Sequence, residues 1–220
     1  MRLPTSRFNI EIKPMTVEHI EGAFELLQTD FRINEPITKS LRLSPEQTQN
    51  AFYDFCKTCC SSGYSFVALD VDKNKVVGCR LSVLKPIEKR GKKYSVYDSN
   101  INYLCDIMQD LEGDIFNDLP DAKKILKFEL VSVYEDYGRC GIAENMIRET
   151  MKKGKNDGLD YVVALATNYK TDSLFRKLGM TPLREFITKD YEIDGKRVFD
   201  LIEPQHPTIR LFYKSLKNDI

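Results

Sequence analysis

One stretch of the chain, Phe128 to Thr150, constrains the fold more than any other. An apolar strand pattern leads into a turn that contains Gly138 and Gly141, and an amphipathic helix pattern then opens at Ile142 or Ala143. Such a turn directs several backbone N–H groups toward one point, where the positive end of the helix dipole also lies. Glycine lets the main chain approach a bulky anion closely. The stretch therefore predicts a cradle for phosphate or pyrophosphate, and the alternative is an ordinary strand-to-helix connection.

The charge balance narrows the classes of partner. Lys plus Arg equals Asp plus Glu at 33 each in 220 residues, so no overall field directs the chain to nucleic acid or to a membrane. The longest apolar runs are far too short to cross a bilayer, and the N-terminal segment lacks the apolar core of a signal peptide. We therefore expect one domain over residues 1–220, cytoplasmic, monomeric or weakly dimeric, with no nucleic acid and no membrane partner.

The cysteines raise the question of a metal or redox site. Three of them form the pattern Cys56-x-x-Cys59-Cys60 on a predicted helix. A structural zinc site takes four ligands, usually from two paired motifs, and the sequence holds no second pair. Free cysteine on an apolar helix face behaves as a small hydrophobe. We predict buried, unpaired thiols and no metal.

Alternating and helical apolar patterns predict a mixed α/β domain. The clearest helix start is Ser44-Pro45-Glu46-Gln47, with Ser44 as N-cap, Pro45 at the first helical position and Gln47 closing a capping box. In the first half of the chain, the predicted elements are a strand at 8–12, a helix after residue 16, a polar loop at 30–43, a helix at 44–61, a hairpin of 64–69 and 76–84, and a basic loop at 86–100. A helix at 103–111 and a strand at 125–133 then lead to the glycine turn with its helix. The remaining predicted elements are a strand at 161–166, a helix at 171–178 that ends at Gly179, two strands near 182–192 and 197–202, and a strand at 209–216.

This order of elements resembles the GNAT superfamily of acyl-CoA N-acyltransferases. The segment Leu174–Met180 (LFRKLGM) is similar to the superfamily's apolar helix that ends at a glycine before a strand. Three further segments resemble the insect-type arylalkylamine N-acetyltransferases: Phe31–Pro36 with its Glu-Pro dipeptide, Tyr137–Ala143 with Gly-Ile-Ala, and Glu203–Phe212 with Pro-Gln-His. The resemblance implies a single α/β domain built on a central, mixed and mostly antiparallel sheet, with splayed central strands flanked by helices.

The resemblance also implies an activity, the transfer of an acetyl group from acetyl-CoA to a small primary amine, with an arylalkylamine as the leading candidate. An alkylamine with a pKa of about 10.4 is mostly protonated at neutral pH, so a base has to accept its proton. Glu35 matches the branch's catalytic glutamate, and the alternative is a solvent-exposed carboxylate. Thr167 and Thr171 fall where the branch carries two serines, although Thr171 is equally suited to cap the helix that follows. His206 matches the branch's terminal histidine, as a second base or proton relay, or else as a structural residue between prolines.

The resemblance implies acetyl-CoA as the co-substrate and a site without a metal ion. Its contacts are expected on the strand, the glycine turn and the next helix, at Leu130, Val131, Val133, Gly138, Arg139, Cys140, Gly141, Ile142, Ala143, Glu144, Ser173 and Phe175. One backbone N–H of the strand is expected to polarise the thioester carbonyl.

The sequence departs from the superfamily pattern in two places. The phosphate loop of the superfamily opens with a basic or amide residue, and that position is Gly138 here, with Arg139 following it. Many members place a tyrosine general acid where this chain has Phe175. Protonation of the departing thiolate then falls to Thr171 or water, or the thiolate needs little help because its reference pKa is only about 8.5.

Two other functions remain compatible with these residues. One is an acetyltransferase for polyamines or other small amines, and the other is a non-catalytic acyl-CoA-binding module. Gly138 at the basic position favours the module, whereas the presence of Glu35, Thr167 and Thr171 favours an enzyme.

Overall fold

The computed structural model describes residues 2–4, 7–89, 99–193, 195–197, 199 and 202–217. The helices are α1 Ile20–Leu26, α2 Arg32–Asn34, α3 Pro36–Ser40, α4 Pro45–Ser61, α5 Ser99–Glu112, α6 Ile115–Asp118, α7 Ile142–Asn156 and α8 Tyr169–Lys177. The strands are β1 Arg2–Pro4, β2 Asn9–Pro14, β3 Phe66–Asp70, β4 Lys75–Pro86, β5 Lys124–Val133, β6 Tyr161–Ala166, β7 Thr181–Ile187, β8 Glu192–Ile193, β9 Lys196–Arg197 and β10 Thr208–Ser215. Short 3-10 turns occur at Val17–His19, Ile87–Lys89, Glu135–Tyr137 and Thr188–Asp190, and a π-helical turn at Leu27–Phe31.

Within this part of the chain, eight strands form one sheet in the order β1-β2-β3-β4-β5-β6-β10-β7, and β8 and β9 form a separate hairpin. Every neighbouring pair of the large sheet is antiparallel except β5 and β6, which run parallel. The mixed, mostly antiparallel α/β fold that the sequence predicts is confirmed. No helix of the described ranges has both the length and the apolar character that crossing a membrane requires.

The parallel strands β5 and β6 part in the middle of the sheet. Their pairing stops at Phe128 and Ala164, although β5 continues to Val133 while its other edge stays paired with β4. The register with β4 places Phe128 and Leu130 opposite consecutive residues, which leaves Glu129 as a bulged residue. The splayed central strands are therefore confirmed, and a gap opens on the β6 side of β5 beyond Phe128.

Helices cover both faces of the sheet. Val67 of β3 packs in the cluster formed with α1 and α4, whereas its neighbours Phe66 and Ala68 pack in the cluster formed with α7. Successive side chains of a strand point to opposite faces, so α7 lies on the face opposite α1 and α4. As predicted, Cys56 and Cys59 are buried in the first of these clusters and unpaired, whereas Cys60 is only half-buried; burial raises the pKa of the Cys56 thiol to about 12.

The main error of the sequence-based prediction concerns residues 30–43, which we expected as a polar loop. They contain the end of the π-helical turn and the short helices α2 and α3. Glu35 lies between these helices with an extended backbone, its side chain caps α3, and Pro36 occupies the first helical position of α3. A carboxylate N-cap followed by proline is a helix start signal, so the Glu-Pro dipeptide itself indicates the helix.

Other boundaries also differ. Helix α5 begins at Ser99 rather than residue 103, α8 begins at Tyr169 rather than residue 171, and the strand expected over 182–192 is interrupted by a 3-10 turn. Strand β1 and helix α6 were not predicted. Most of the expected basic loop at 86–100, namely 90–98, lies outside the described residues.

Candidate active site

A cavity of about 280 Å³ lies where β5 and β6 part. Side chains of α4, α5, β4, β5 and α8 line it, together with the segment around α3, and most of them are apolar. The aromatic part of the lining consists of Phe31, Phe52, Phe55, Phe128 and Phe175. A mostly apolar cavity with a few converging polar groups is typical of a small-molecule site.

Glu35 lines this cavity and is half-buried, in contrast to the alternative of a solvent-exposed loop carboxylate. Its Oε2 accepts hydrogen bonds from the Thr38 backbone N–H at 2.7 Å and from the Thr38 hydroxyl at 3.0 Å. Its Oε1 is buried and has no hydrogen-bond partner among the described residues. The carboxylate is thus fixed through one oxygen, while the other is left to accept a proton or a hydrogen bond from a ligand or water.

Thr167 and Thr171 line the same cavity, half-buried. The alternative role of Thr171 as the N-cap of α8 is wrong, because the N-cap is Asn168, whose Oδ1 accepts from the Thr171 backbone N–H at 2.9 Å. The Thr171 hydroxyl is therefore not used for capping. Phe175, one turn further along α8, is buried and also lines the cavity.

His206 is buried beside the cavity and does not line it. Its ring stacks on Tyr169 with a centroid separation of 5.7 Å, and its Nδ1 has no hydrogen-bond partner within the described ranges. Burial lowers the pKa of His206, and the nearby charges of Glu203 and Glu35 oppose this shift. The lowered pKa favours the neutral form of the imidazole near pH 7.

The glycine turn has the geometry of an anion cradle. Gly141, with φ +73°, is the N-cap of α7 and brings no side chain to cap the first-turn N–H groups of Ile142, Ala143 and Glu144. Uncapped N–H groups at the positive end of a 15-residue helix suit a phosphate. The Glu144 carboxylate, which would otherwise repel one, is paired with Arg148 at 2.8 Å and with Lys177 at 2.5 Å.

The structure explains why a glycine stands at the basic position of the loop. The Gly138 N–H donates to the Glu135 carbonyl oxygen at 2.8 Å, closing the 3-10 turn. A Cβ at position 138 would lie 2.9 Å from that same oxygen, which is backbone and does not swing away. The neighbouring Arg139 is exposed and takes a left-handed conformation with φ +60°.

We expect Gly138→Arg, which restores a basic residue to the superfamily position, to weaken CoA binding about tenfold rather than strengthen it. The clash with Glu135 has to be relieved by moving the turn, and this moves the amides of the cradle; overpacking of this kind costs about 1–3 kcal/mol. Calorimetric titration with CoA measures the effect, with Arg139→Lys as the variant that keeps both the charge and the glycine. Tighter binding by Gly138→Arg would contradict this account of the loop.

The remaining expected coenzyme contacts divide into two groups. Leu130, Val131 and Phe175 line the cavity, whereas Val133 and Ser173 do not. The Leu130 carbonyl already accepts a hydrogen bond from Arg80, and Cys140 makes a weak contact to the Gly138 carbonyl, 3.5 Å from its sulfur.

Sequence reasoning missed the buried charges of the cavity wall. Arg80 is only 1% exposed, and its Nη1 donates to the carbonyls of Leu81, at 2.7 Å, and Leu130. Its guanidinium carbon lies 3.7 Å from the centroid of the Phe128 ring, and burial lowers the pKa of Arg80 to about 9. Lys127 and Glu129 line the cavity beside it. The sequence does contain a sign of these buried charges, because the three charged residues interrupt otherwise apolar strands.

Comparison with known proteins supports the fold. No model of a protein family matches the sequence. Arylalkylamine N-acetyltransferase 2 from Aedes aegypti is 21% identical with a TM-score of 0.82, over 95% of this chain and 100% of that one. Polyamine N-acetyltransferase of Drosophila melanogaster, which catalyses the formation of N-acetylagmatine, is 16% identical with a TM-score of 0.79, over 94% and 100%. An Arabidopsis thaliana protein solved in complex with acetyl-CoA is 16% identical with a TM-score of 0.56, over 94% and 98%. The chain thus has the fold of these GNAT acetyltransferases, and the resemblance inferred from the sequence is confirmed at the level of structure.

Proposed function

We propose that this protein is an acetyl-CoA-dependent N-acetyltransferase that acetylates a small primary amine, best an arylalkylamine, by direct transfer. The observation that carries the proposal is the position of Glu35, whose Oε1 is buried and unpartnered at a mostly apolar cavity in the gap between β5 and β6. The anion cradle follows β5 directly along the chain. One strand thus connects a site for the coenzyme's phosphates with a site for the amine.

Acetyl-CoA fits this arrangement as a co-substrate. Its pyrophosphate would bind the amides of the turn and the first turn of α7, with Arg139 supplying the cation. Its pantetheine arm would follow the edge of β5 that β6 leaves unpaired beyond Phe128. A backbone N–H of β5 past the bulge would then donate to the thioester oxygen as negative charge develops on it.

The chemistry needs one base and one proton donor. Glu35 Oε1 accepts a proton from the ammonium, directly or through a water, and the neutral amine attacks the thioester carbonyl carbon. A C–N bond forms, the C–S bond breaks, and the sulfur leaves with the electron pair. The nitrogen, which still carries one excess proton after the attack, gives it up, and the Thr171 hydroxyl or a water relays a proton to the thiolate; Thr167 lines the same cavity. His206 would pass the proton from Glu35 toward the solvent, and its lowered pKa, which favours the neutral ring, supports this role.

The lowered pKa of His206 predicts an acid limb in the pH profile. The histidine relays protons only when neutral, so we expect kcat/KM to fall as pH decreases through its pKa, which lies below the ordinary value of 6.5. In His206→Gln this limb should flatten while CoA binding stays unchanged. Thiol release measured between about pH 5 and 8 gives both profiles. Identical profiles in the two proteins would remove His206 from the mechanism.

The test of the proposed function is amine-dependent thiol release from acetyl-CoA. Phenethylamine, tyramine, dopamine, serotonin and spermidine make a suitable panel, with CoA binding measured in parallel. We expect thiol release only in the presence of an amine, and greatest with the aromatic amines because five phenylalanines line the cavity. CoA binding without turnover of any amine would favour a non-catalytic acyl-CoA-binding module instead.

A further inference from the structure

We propose that the charged wall of the cavity restricts the acceptor to monoamines and excludes amines that carry a second ammonium group, with Lys127 as the specificity-determining residue. The charged wall consists of Arg80, Lys127 and Glu129, which line the cavity, and of Lys85 and Glu112 behind them. This inference rests on the proposed function and concerns the same site.

Four of the five groups, all except Arg80, form a continuous chain of buried or half-buried ion pairs. Lys127 lies between the two carboxylates, 2.5 Å from Glu112 Oε2 and 2.9 Å from Glu129 Oε2. Lys85 pairs with the other oxygen of Glu112, and the side chains of Lys127, Glu112 and Glu129 are each about one-tenth exposed or less. Two attractive partners and low exposure hold Lys127 in place between the carboxylates.

The wall carries an excess of positive charge. These five described residues carry three positive and two negative charges, a sum of +1, and the other carboxylate in the described lining is Glu35. Among the described residues, the side-chain hydrogen bonds of Arg80 go to the carbonyl oxygens of Leu81 and Leu130, and its Nε and Nη2 have no hydrogen-bond partner. In a buried setting this charge is weakly screened and acts over several ångströms.

A diamine has no second carboxylate to bind. Its reacting nitrogen would lie at Glu35, and the other carboxylate that lines the described part of the cavity is Glu129. Glu129 is already paired with Lys127. A second ammonium in the cavity would therefore lose its hydration and meet a net positive wall, whereas an aromatic or alkyl remainder would meet the phenylalanines.

Hexylamine and 1,6-diaminohexane make a matched pair for the test, because they share a chain length and differ by one terminal ammonium. We expect the wild-type protein to acetylate hexylamine with a kcat/KM at least about tenfold above that of the diamine, as expected for a unit charge at about 10 Å in a partly buried site. In Lys127→Met the net charge of the wall becomes zero, and the discrimination should fall by about tenfold.

A charge-balanced variant separates electrostatics from packing. Lys127→Met combined with Glu129→Gln returns the wall to a net charge of +1, so discrimination against the diamine should return. Lys85→Met also lowers the net charge of the wall to zero, at a residue that does not itself line the cavity. This variant provides the same test if Lys127→Met does not fold. Equal kcat/KM values for the two amines in the wild type would overturn this inference and leave the acetyltransferase proposal standing. Turnover of neither these amines nor the aromatic panel would overturn both.

Discussion

Glu35→Gln is expected to lower kcat/KM for amine acetylation by a factor of about 10² to 10⁴, the range that a positioned general base contributes. The side-chain oxygen of glutamine can still accept the hydrogen bond from the Thr38 N–H and so cap α3, and the local fold should therefore be retained. Glutamine accepts no proton from the ammonium, so the amine stays protonated and cannot attack. Thiol release reports the rate, and titration with CoA shows whether the coenzyme site is intact.

Glu46→Gln is the control for this substitution. Glu46 is an exposed carboxylate in the first turn of α4, so removing its charge should leave the rate within about twofold. An unaltered kcat/KM in Glu35→Gln would show that the carboxylate is a helix cap without a role in proton transfer. A loss of CoA affinity equal to the loss of rate would point instead to disturbance of the coenzyme site.

Gly141→Ala should produce the second large effect, a loss of at least about tenfold in CoA affinity. Gly141 has φ +73°, a conformation that costs an L-residue about 1–2 kcal/mol. An added Cβ would also lie 3.3 Å from Asn145 Nδ2, whose amide group donates to the Gly141 carbonyl at 2.8 Å. Relieving the backbone strain or the close approach to Asn145 reorients the peptide groups of the turn. The backbone N–H groups of the turn then move away from the position of the phosphate.

Gly158→Ala is a matched control, because Gly158 has φ +70° and an added Cβ would meet no heavy atom within 4 Å. Both variants carry the same kind of backbone strain, so both should lose a similar free energy of unfolding, measured by denaturant titration. CoA affinity should fall in Gly141→Ala and stay unchanged in Gly158→Ala. Equal affinities in the two variants would show that the glycine turn is only a strand-to-helix connection.

Patterns that depend on neighbours in sequence predicted the fold well. The capping box at Ser44 forms with Gln47, the strand at residues 161–166 has the predicted bounds, and Gly179 ends α8 with φ +72°. Each of these features is decided within one turn of helix or one strand. The Glu-Pro dipeptide contains equally local information about α3, because Glu35 caps this helix and Pro36 occupies its first position.

The candidate site was predictable only in part, because its remaining features join residues that are distant in sequence. The hydrogen bond from Arg80 to the Leu130 carbonyl spans 50 positions, and the pair of Lys127 and Glu112 joins β5 to α5. No periodicity indicates such pairs. A charged residue in an apolar strand shows only that a buried partner is required.

The loop glycine illustrates the same limit. From the sequence, Gly138 is a missing basic residue that weakens the case for coenzyme binding. Its meaning changes once the Glu135 carbonyl is located, because that oxygen leaves no room for a Cβ. The glycine is therefore required by the turn, and the Gly138→Arg titration examines this directly.

The location of bound acetyl-CoA tests the central claim most directly. A crystal structure of the complex should place the pyrophosphate against the N–H groups of residues 139–143 and the pantetheine in the gap between β5 and β6. The thioester carbon should then lie in the cavity, within one water of Glu35 Oε1 and near Thr171. Coenzyme bound elsewhere, or a thioester directed away from Glu35, would contradict the account.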